Sequence, residues 1–253
     1  MKWNNDIFKR YMEAGLAILI VLTLGLAGAA GVLSPRATER EQNETAAEND
    51  STKASQENEN KTSASNPDTE ETQETIADGQ YPIMGSSNIT VQEMVDYFNA
   101  SGEVYPAEEL SEGGADSIET FCQMYYDEAT AEGVRPEVAF AQTMKETGFL
   151  QYGGDASIEQ FNFAGLGTTG NSVPGNSYPD VQTGIRAQIQ HLKAYATADA
   201  LNQECVDDRY EYVKKGSAPY VQWLGQQENP EGLGWATEDN YGYDIVGMIE
   251  EMM

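Results

Sequence analysis

One carboxylate stands out among the side chains able to do chemistry. Glu146 lies in the run Val138-Ala-Phe-Ala-Gln-Thr-Met-Lys-Glu146-Thr-Gly-Phe149. Projected at 100° per residue, Val138, Phe140, Ala141 and Met144 form one apolar arc of a helix spanning 137–148. Glu146 falls on the opposite side with Ala139 and Thr143. A carboxyl group at a helix C-terminus sits near the negative end of the dipole, which raises its pKa, and burial against Phe149 or Tyr152 would raise it further. A carboxylic acid that stays protonated near neutral pH can protonate the leaving oxygen of a glycoside. The alternative is a solvated glutamate on a solvated face.

Other nucleophiles and ligands are sparse. The single histidine, His191, lies one residue from the apolar stripe of a helix that opens at Asp180. It reads as a packing or surface residue, because no Ser or Cys stands in a nucleophile elbow. There is no Gly-rich phosphate loop ending in Lys-Ser/Thr and no HExxH pair. Cys122 and Cys205 lack zinc spacing, so no metal and no cofactor are expected. The two thiols either bridge, closing a loop of about 80 residues, or stay apart as buried thiols.

The elements that must position Glu146 can be read from caps and periodicity. Thr90 caps a helix with Val91, Met94, Val95 and Phe98 on one face, and Ser117 caps a second that ends at Gly133. Pro136 opens the helix that carries Glu146, and Gly148 closes it. Residues 149–180 are rich in Gly, Asn, Ser and Thr and form an irregular lobe. Asp180 then caps a helix through Tyr195, and short helices near Pro219–Gly225 and Asn240–Met252 close the chain. No alternating strands appear, so the domain over 81–253 is mostly α with one small glycine-rich lobe.

Before that domain the chain changes character twice. Residues 1–13 carry a slight positive charge. Ala14–Leu33 is a twenty-residue run without a charge, about 30 Å as a helix and so long enough to cross a bilayer. It reads as a transmembrane signal-anchor with a cytoplasmic N-terminus and everything after it outside. A cleaved signal peptide, and hence a secreted protein, is the alternative. Residues 34–80 are acidic and polar, a disordered tether. Over the whole chain Lys and Arg total 14 against 42 Asp and Glu, a net charge of −28, which excludes nucleic acid as a partner.

Four motifs in order resemble the bacterial cell-wall endo-β-N-acetylglucosaminidases of glycoside hydrolase family 73. The Val138–Phe149 run resembles the family's helix bearing the catalytic acid. Asn162-Phe-Ala-Gly165-Leu-Gly167 is similar to its Asn-Leu-Phe-Gly-Ile-Lys segment. Tyr178-Pro-Asp180 looks like its aromatic before a helix start, and Trp235-Ala-Thr237-Glu-Asp239-Asn-Tyr241 like its Tyr-Ala-Thr-Asp-Pro-x-Tyr. The resemblance covers about residues 117–253 and implies a lysozyme-like fold and a peptidoglycan hydrolase cutting the β-1,4 bond after N-acetylglucosamine. It makes Glu146 the acid and places Asn162, Phe163, Tyr178, Trp235 and Tyr241 at the glycan, with peptidoglycan strands and the membrane as partners of a monomer. One departure bears on mechanism. Many members carry a second glutamate before the aromatic matched by Tyr178, yet Thr168–Ser177 holds no acid. Asp180 is the candidate it leaves, together with Asp155 and Glu159, although Asp180 is more simply a helix cap. Two other readings stay open: a lytic transglycosylase using the same Glu146, and a catalytically silent glycan-binding module.

Overall fold

The computed structural model describes residues 79–154, 156–168 and 174–253. The expected cytoplasmic segment, signal-anchor and nearly all of the tether lie outside the described residues, as do Asp155 and the centre of the glycine-rich lobe. No helix among the described residues is long and apolar enough to cross a membrane.

The architecture is helical, as the periodicity predicts, and no β-strand occurs among the described residues, only isolated bridges. The helices are α1 (Val91–Ser101), α2 (Ala107–Glu112), α3 (Ile118–Glu132), α4 (Pro136–Thr147), α5 (Val181–Ala196) and α6 (Tyr241–Met252). Their ends follow the sequence signals. Thr90 and Glu93 form a reciprocal capping box at α1, Ser117 caps α3, and Asp180 accepts the Thr183 N–H at 2.7 Å to cap α5. The segment near Pro219–Gly225 is one 3₁₀ turn, Val221–Leu224. Helix α2 has no side-chain cap and too few residues to show a period, so its pattern is invisible in the sequence.

Helix α4 is the axis of the molecule. It packs against α3, α5 and α6, and every residue from Pro136 to Met144 is buried, Ala139 and Thr143 included. The side of the helix opposite the apolar arc is therefore not a solvated face. It is filled by small residues because α5 and α6 close upon it, and larger side chains would hold those helices away. Around the axis, Phe121 packs on Phe163 and Tyr125 with ring centroids 5.1 Å away in each case, and Tyr125 packs on Phe140 at 5.8 Å. Each such buried aromatic contributes roughly 1.5–3 kcal/mol by removal from water.

Residues 79–121 belong to this same core. The Ile83 N–H donates to the Pro219 carbonyl and the Ile83 carbonyl accepts from Arg135 N–H, so one extended strap ties the 3₁₀ region to the α3–α4 corner. Ile83 is fully buried. Phe98 of α1 packs on Phe149 at 6.4 Å, directly behind the end of α4.

Cys122 and Cys205 are free thiols, so the bridge entertained from the sequence is not made. Cys122 is fully buried on α3, whereas Cys205 is exposed in the loop after α5. Burial pushes the Cys122 thiol well above the usual thiol range and keeps it inert.

Candidate active site

Glu146 occupies the last turn of α4, and the chain beyond it is built to stop the helix there. Gly148 is left-handed at φ 57°, and Phe149, Leu150 and Tyr152 follow at φ 56°, 65° and 57°. Bulky residues rarely adopt that conformation, at a cost of about 1–2 kcal/mol each. Thr147 holds the turn: its hydroxyl donates to the Thr143 carbonyl at 2.7 Å and accepts the Leu150 N–H at 2.9 Å. The Tyr152 N–H returns to the Thr147 carbonyl at 2.8 Å. The threonine after the glutamate thus pins the turn that ends the helix.

The Glu146 side chain is half-buried. Its Oε1 accepts a short hydrogen bond from the hydroxyl of Tyr241, the first residue of α6. Its Oε2 has no hydrogen-bond partner among the described residues and is not sealed from solvent. Tyr241 itself is 1% exposed and receives the Gln142 amide N–H on its oxygen at 3.0 Å. It can sit so close because α6 begins on a glycine pair of contacts: a Cβ on Gly242 would meet the Val221 carbonyl oxygen at 2.1 Å.

Burial raises the Glu146 carboxyl, Tyr241's hydrogen bond and Lys145's charge oppose the rise, and Glu238's charge adds to it, leaving a pKa of about 7. Lys145 is the nearest cation in sequence, yet its ammonium is turned to other acids, Glu238 Oε2 at 3.2 Å and Asp244 Oδ2 at 3.0 Å. Burial would lower the Lys145 pKa, but the bonds and charges of those two acids outweigh it. The ammonium lies 5.4 Å from the centre of the Tyr241 ring. A half-buried carboxylic acid that titrates near neutrality and keeps one oxygen free can deliver a proton to a bound substrate.

The remaining expected site residues are distributed more widely. Asn162 is buried and uses its whole amide on the lobe backbone, donating to Leu166 and Asn176 carbonyls and accepting the Leu166 N–H. Phe163 is in the core against Phe121. Tyr178 is buried, anchored through its N–H to the Gln160 carbonyl. Trp235 is half-buried and meets His191 edge-on at 4.9 Å and Tyr195 at 5.7 Å. His191 is itself a packing residue, bonded to Asp207 at 2.6 Å. Asp180 spends its carboxylate on the α5 cap, and Glu159 is exposed. Of these residues only Tyr241 touches Glu146. The reading from sequence missed the carboxylates around Lys145. Glu238 stood inside the quoted Trp235–Tyr241 motif, whereas Asp244 carried no signal beyond its place in the first turn of α6.

No grouping of His, Cys, Asp and Glu among the described residues could hold a metal ion. Comparison with known families then decides the affiliation: residues 122–253 match the model of the mannosyl-glycoprotein endo-β-N-acetylglucosaminidases. The chain belongs to this glucosaminidase family. The members of that family are glycoside hydrolases. An uncharacterized protein of Borreliella burgdorferi is 42% identical over 136 residues, which cover 54% of this chain and 63% of that protein. The chain thus spans less than two thirds of that relative. No solved structure matches. The family match begins inside α3, and the strap, α1 and α2 that precede it pack into the same core.

Proposed function

We propose that this glucosaminidase cleaves the β-1,4 bond after N-acetylglucosamine in peptidoglycan, with Glu146 as the general acid. The observation that carries the reading is the Glu146 carboxyl: half-buried, titrating at about 7, with Oε1 held by Tyr241 and Oε2 free. The acid donates its Oε2 proton to the glycosidic oxygen as the C1–O bond breaks. The acids that face this cluster, Glu238 and Asp244, are both committed to Lys145. We therefore assign the nucleophile to the sugar's own acetamido oxygen, which closes on C1. Water, giving its proton to the Glu146 carboxylate, then opens the ring so formed. The anchor at 14–33 and the tether at 34–80 would hold the domain outside the membrane within reach of the wall. That placement rests on the sequence pattern.

Mass spectrometry of peptidoglycan digested by the full chain tests this reading. Reducing N-acetylglucosamine ends are expected, and Glu146→Gln should slow their release by about 10²–10⁴-fold with the fold intact. Anhydro-muramyl ends would make the enzyme a transglycosylase with the same acid. Undiminished cleavage by Glu146→Gln would remove the assignment altogether.

A further inference from the structure

Behind Glu146 runs a chain of buried polar side chains that nothing in the reaction uses directly. It begins at Gln188 in the middle of α5, which is fully buried. The side-chain amide of Gln188 lies 3.0 Å from the Ala139 carbonyl and 2.9 Å from Gln142 Oε1. A backbone carbonyl can only accept, so the Gln188 atom facing Ala139 is the NH₂ group. That choice fixes Gln188 Oε1 as an acceptor facing the hydroxyls of Tyr125 at 2.8 Å and Thr143 at 2.9 Å, which also share a 2.6 Å hydrogen bond with each other.

The direction then propagates. Because Gln188 donates to Gln142 Oε1, the remaining Gln142 atom is its NH₂ group, which donates to the Tyr241 oxygen at 3.0 Å. Tyr241 is thereby occupied as an acceptor. Its own hydrogen has one acceptor among the described residues, Glu146 Oε1. Gln142, Thr143, Gln188 and Tyr125 are all 0% exposed and Tyr241 is 1% exposed, so water cannot reverse any link.

We propose that Gln188, acting through Gln142, is a positioning residue that locks the Tyr241 hydroxyl as a donor to Glu146 Oε1 and so confines the acid's transferable proton to Oε2. A proton on Oε1 would collide with the tyrosine hydrogen, so the only proton Glu146 can carry is the one facing the open edge. The same donor stabilises the carboxylate that must form when the proton leaves. The charged groups around this carboxyl are Lys145 beside it on α4, Asp244 from α6 and Glu238 from the segment before α6. None of the three hydrogen-bonds to these polar side chains, and the Lys145 ammonium meets only the Tyr241 ring, 5.4 Å from its centre. This inference rests on Glu146 being the acid.

The test compares Gln188→Met and Tyr125→Phe with wild type in the full chain. Two quantities are read against pH: kcat and KM on purified peptidoglycan, and the Glu146 carboxyl titration by ¹³C NMR, assigned by its absence in Glu146→Gln. Gln188→Met removes the direction-setting donor. It should move the Glu146 titration and the basic limb of the rate profile upward by about half to one pH unit. In the same variant kcat should fall about 10-fold with KM within about twofold of wild type. Tyr125→Phe removes one hydroxyl at the far end but leaves the Ala139 anchor, so the Glu146 titration should stay in place even if the protein melts earlier. If Gln188→Met does not fold, Gln142→Met cuts the chain one link nearer and should show the same shift. An unmoved Glu146 titration in the glutamine variants, or an equal shift in Tyr125→Phe, overturns the proposal. An upward shift in a protein that cuts no glycan would sustain the positioning role while removing the glucosaminidase reading.

Discussion

The buried glutamates of α3 and the half-buried Glu146 of α4 have acidities shifted in opposite directions. Between α3 and α5, Glu128 accepts two bonds from the Arg186 guanidinium at 2.8 Å each, with Gln182 and Gln203 at 2.6 and 2.9 Å. One turn on, Glu132 takes the Lys193 ammonium at 2.9 Å and the Asn202 and Gln203 N–H groups at 2.8 and 3.1 Å. Burial pushes both carboxyls up, but these donors outweigh it and hold both below the usual value. At the end of α4, Glu146 has a single donor, Tyr241, and the adjacent lysine is drawn away by Glu238 and Asp244, so burial wins. Burial alone does not set the state of a carboxylate; the number and charge of its donors do. The first pair is structural, tying the 200–206 loop to two helices, and the second is poised to exchange a proton.

The largest effect is expected from breaking the structural side of this contrast. Lys193→Met leaves Glu132 buried without its cation and should cost about 3–5 kcal/mol in chemical denaturation at pH 7. A depressed carboxyl stabilises the fold above its unfolded pKa and loses that contribution as pH falls through its folded value. The Lys193→Met deficit should accordingly shrink toward acid pH. A deficit below about 1 kcal/mol at neutrality would mean that the backbone N–H donors suffice alone.

The opposite sign is expected at Glu146. Its folded pKa of about 7 lies above the ordinary 4.5, so between those values the folded state holds a proton that the unfolded chain has lost. Wild-type stability should fall as pH rises from 4.5 to 7 and carry a constant penalty above. Glu146→Gln removes the penalty, making the variant more stable by about 1–3 kcal/mol at pH 8, a gain that fades as pH falls toward 4.5. Equal melting curves at pH 8 would show that the site is better solvated than its burial implies. A gain in stability paired with a loss of activity is the mark of a functional rather than a structural carboxylate.

Only the Glu146 side of this contrast was legible in the sequence, and the limits of that reading have physical causes. The helix carrying Glu146 could be drawn almost to the residue, because Pro136 and Gly148 are local signals that act through their own backbone. The raised acidity also followed from a helix C-terminus among small and aromatic neighbours. What could not be read was the identity of Glu146's neighbours. Gln188 lies far along the chain from Gln142, and an uncharged glutamine in the middle of a helix carries no mark of burial. The same limit affected the aromatics: Tyr178 and Phe163 looked like residues of a sugar-binding groove, and folding placed them within the core. Tyr241 came closest, its motif position signalling a role while only tertiary packing showed its hydroxyl on Glu146.

The smallest effect, and the most direct on the chemistry, is expected from Tyr241→Phe. The ring stays to fill its buried place beneath Lys145, and only the hydroxyl is lost. Glu146 then has no hydrogen-bond donor, so the anion is destabilised and the carboxyl titrates higher, by about one pH unit. A higher pKa widens the range over which the acid is protonated, so the basic limb of the rate profile should move upward from about 7. The maximal rate should nevertheless fall, about 10-fold, because the developing carboxylate is no longer stabilised and the proton is no longer confined to Oε2. The two changes oppose each other at alkaline pH, where the variant should lose least relative to wild type. A Tyr241→Phe enzyme that lost rate equally at every pH would instead place the hydroxyl on the glycan and leave Glu146 to be tuned by burial alone.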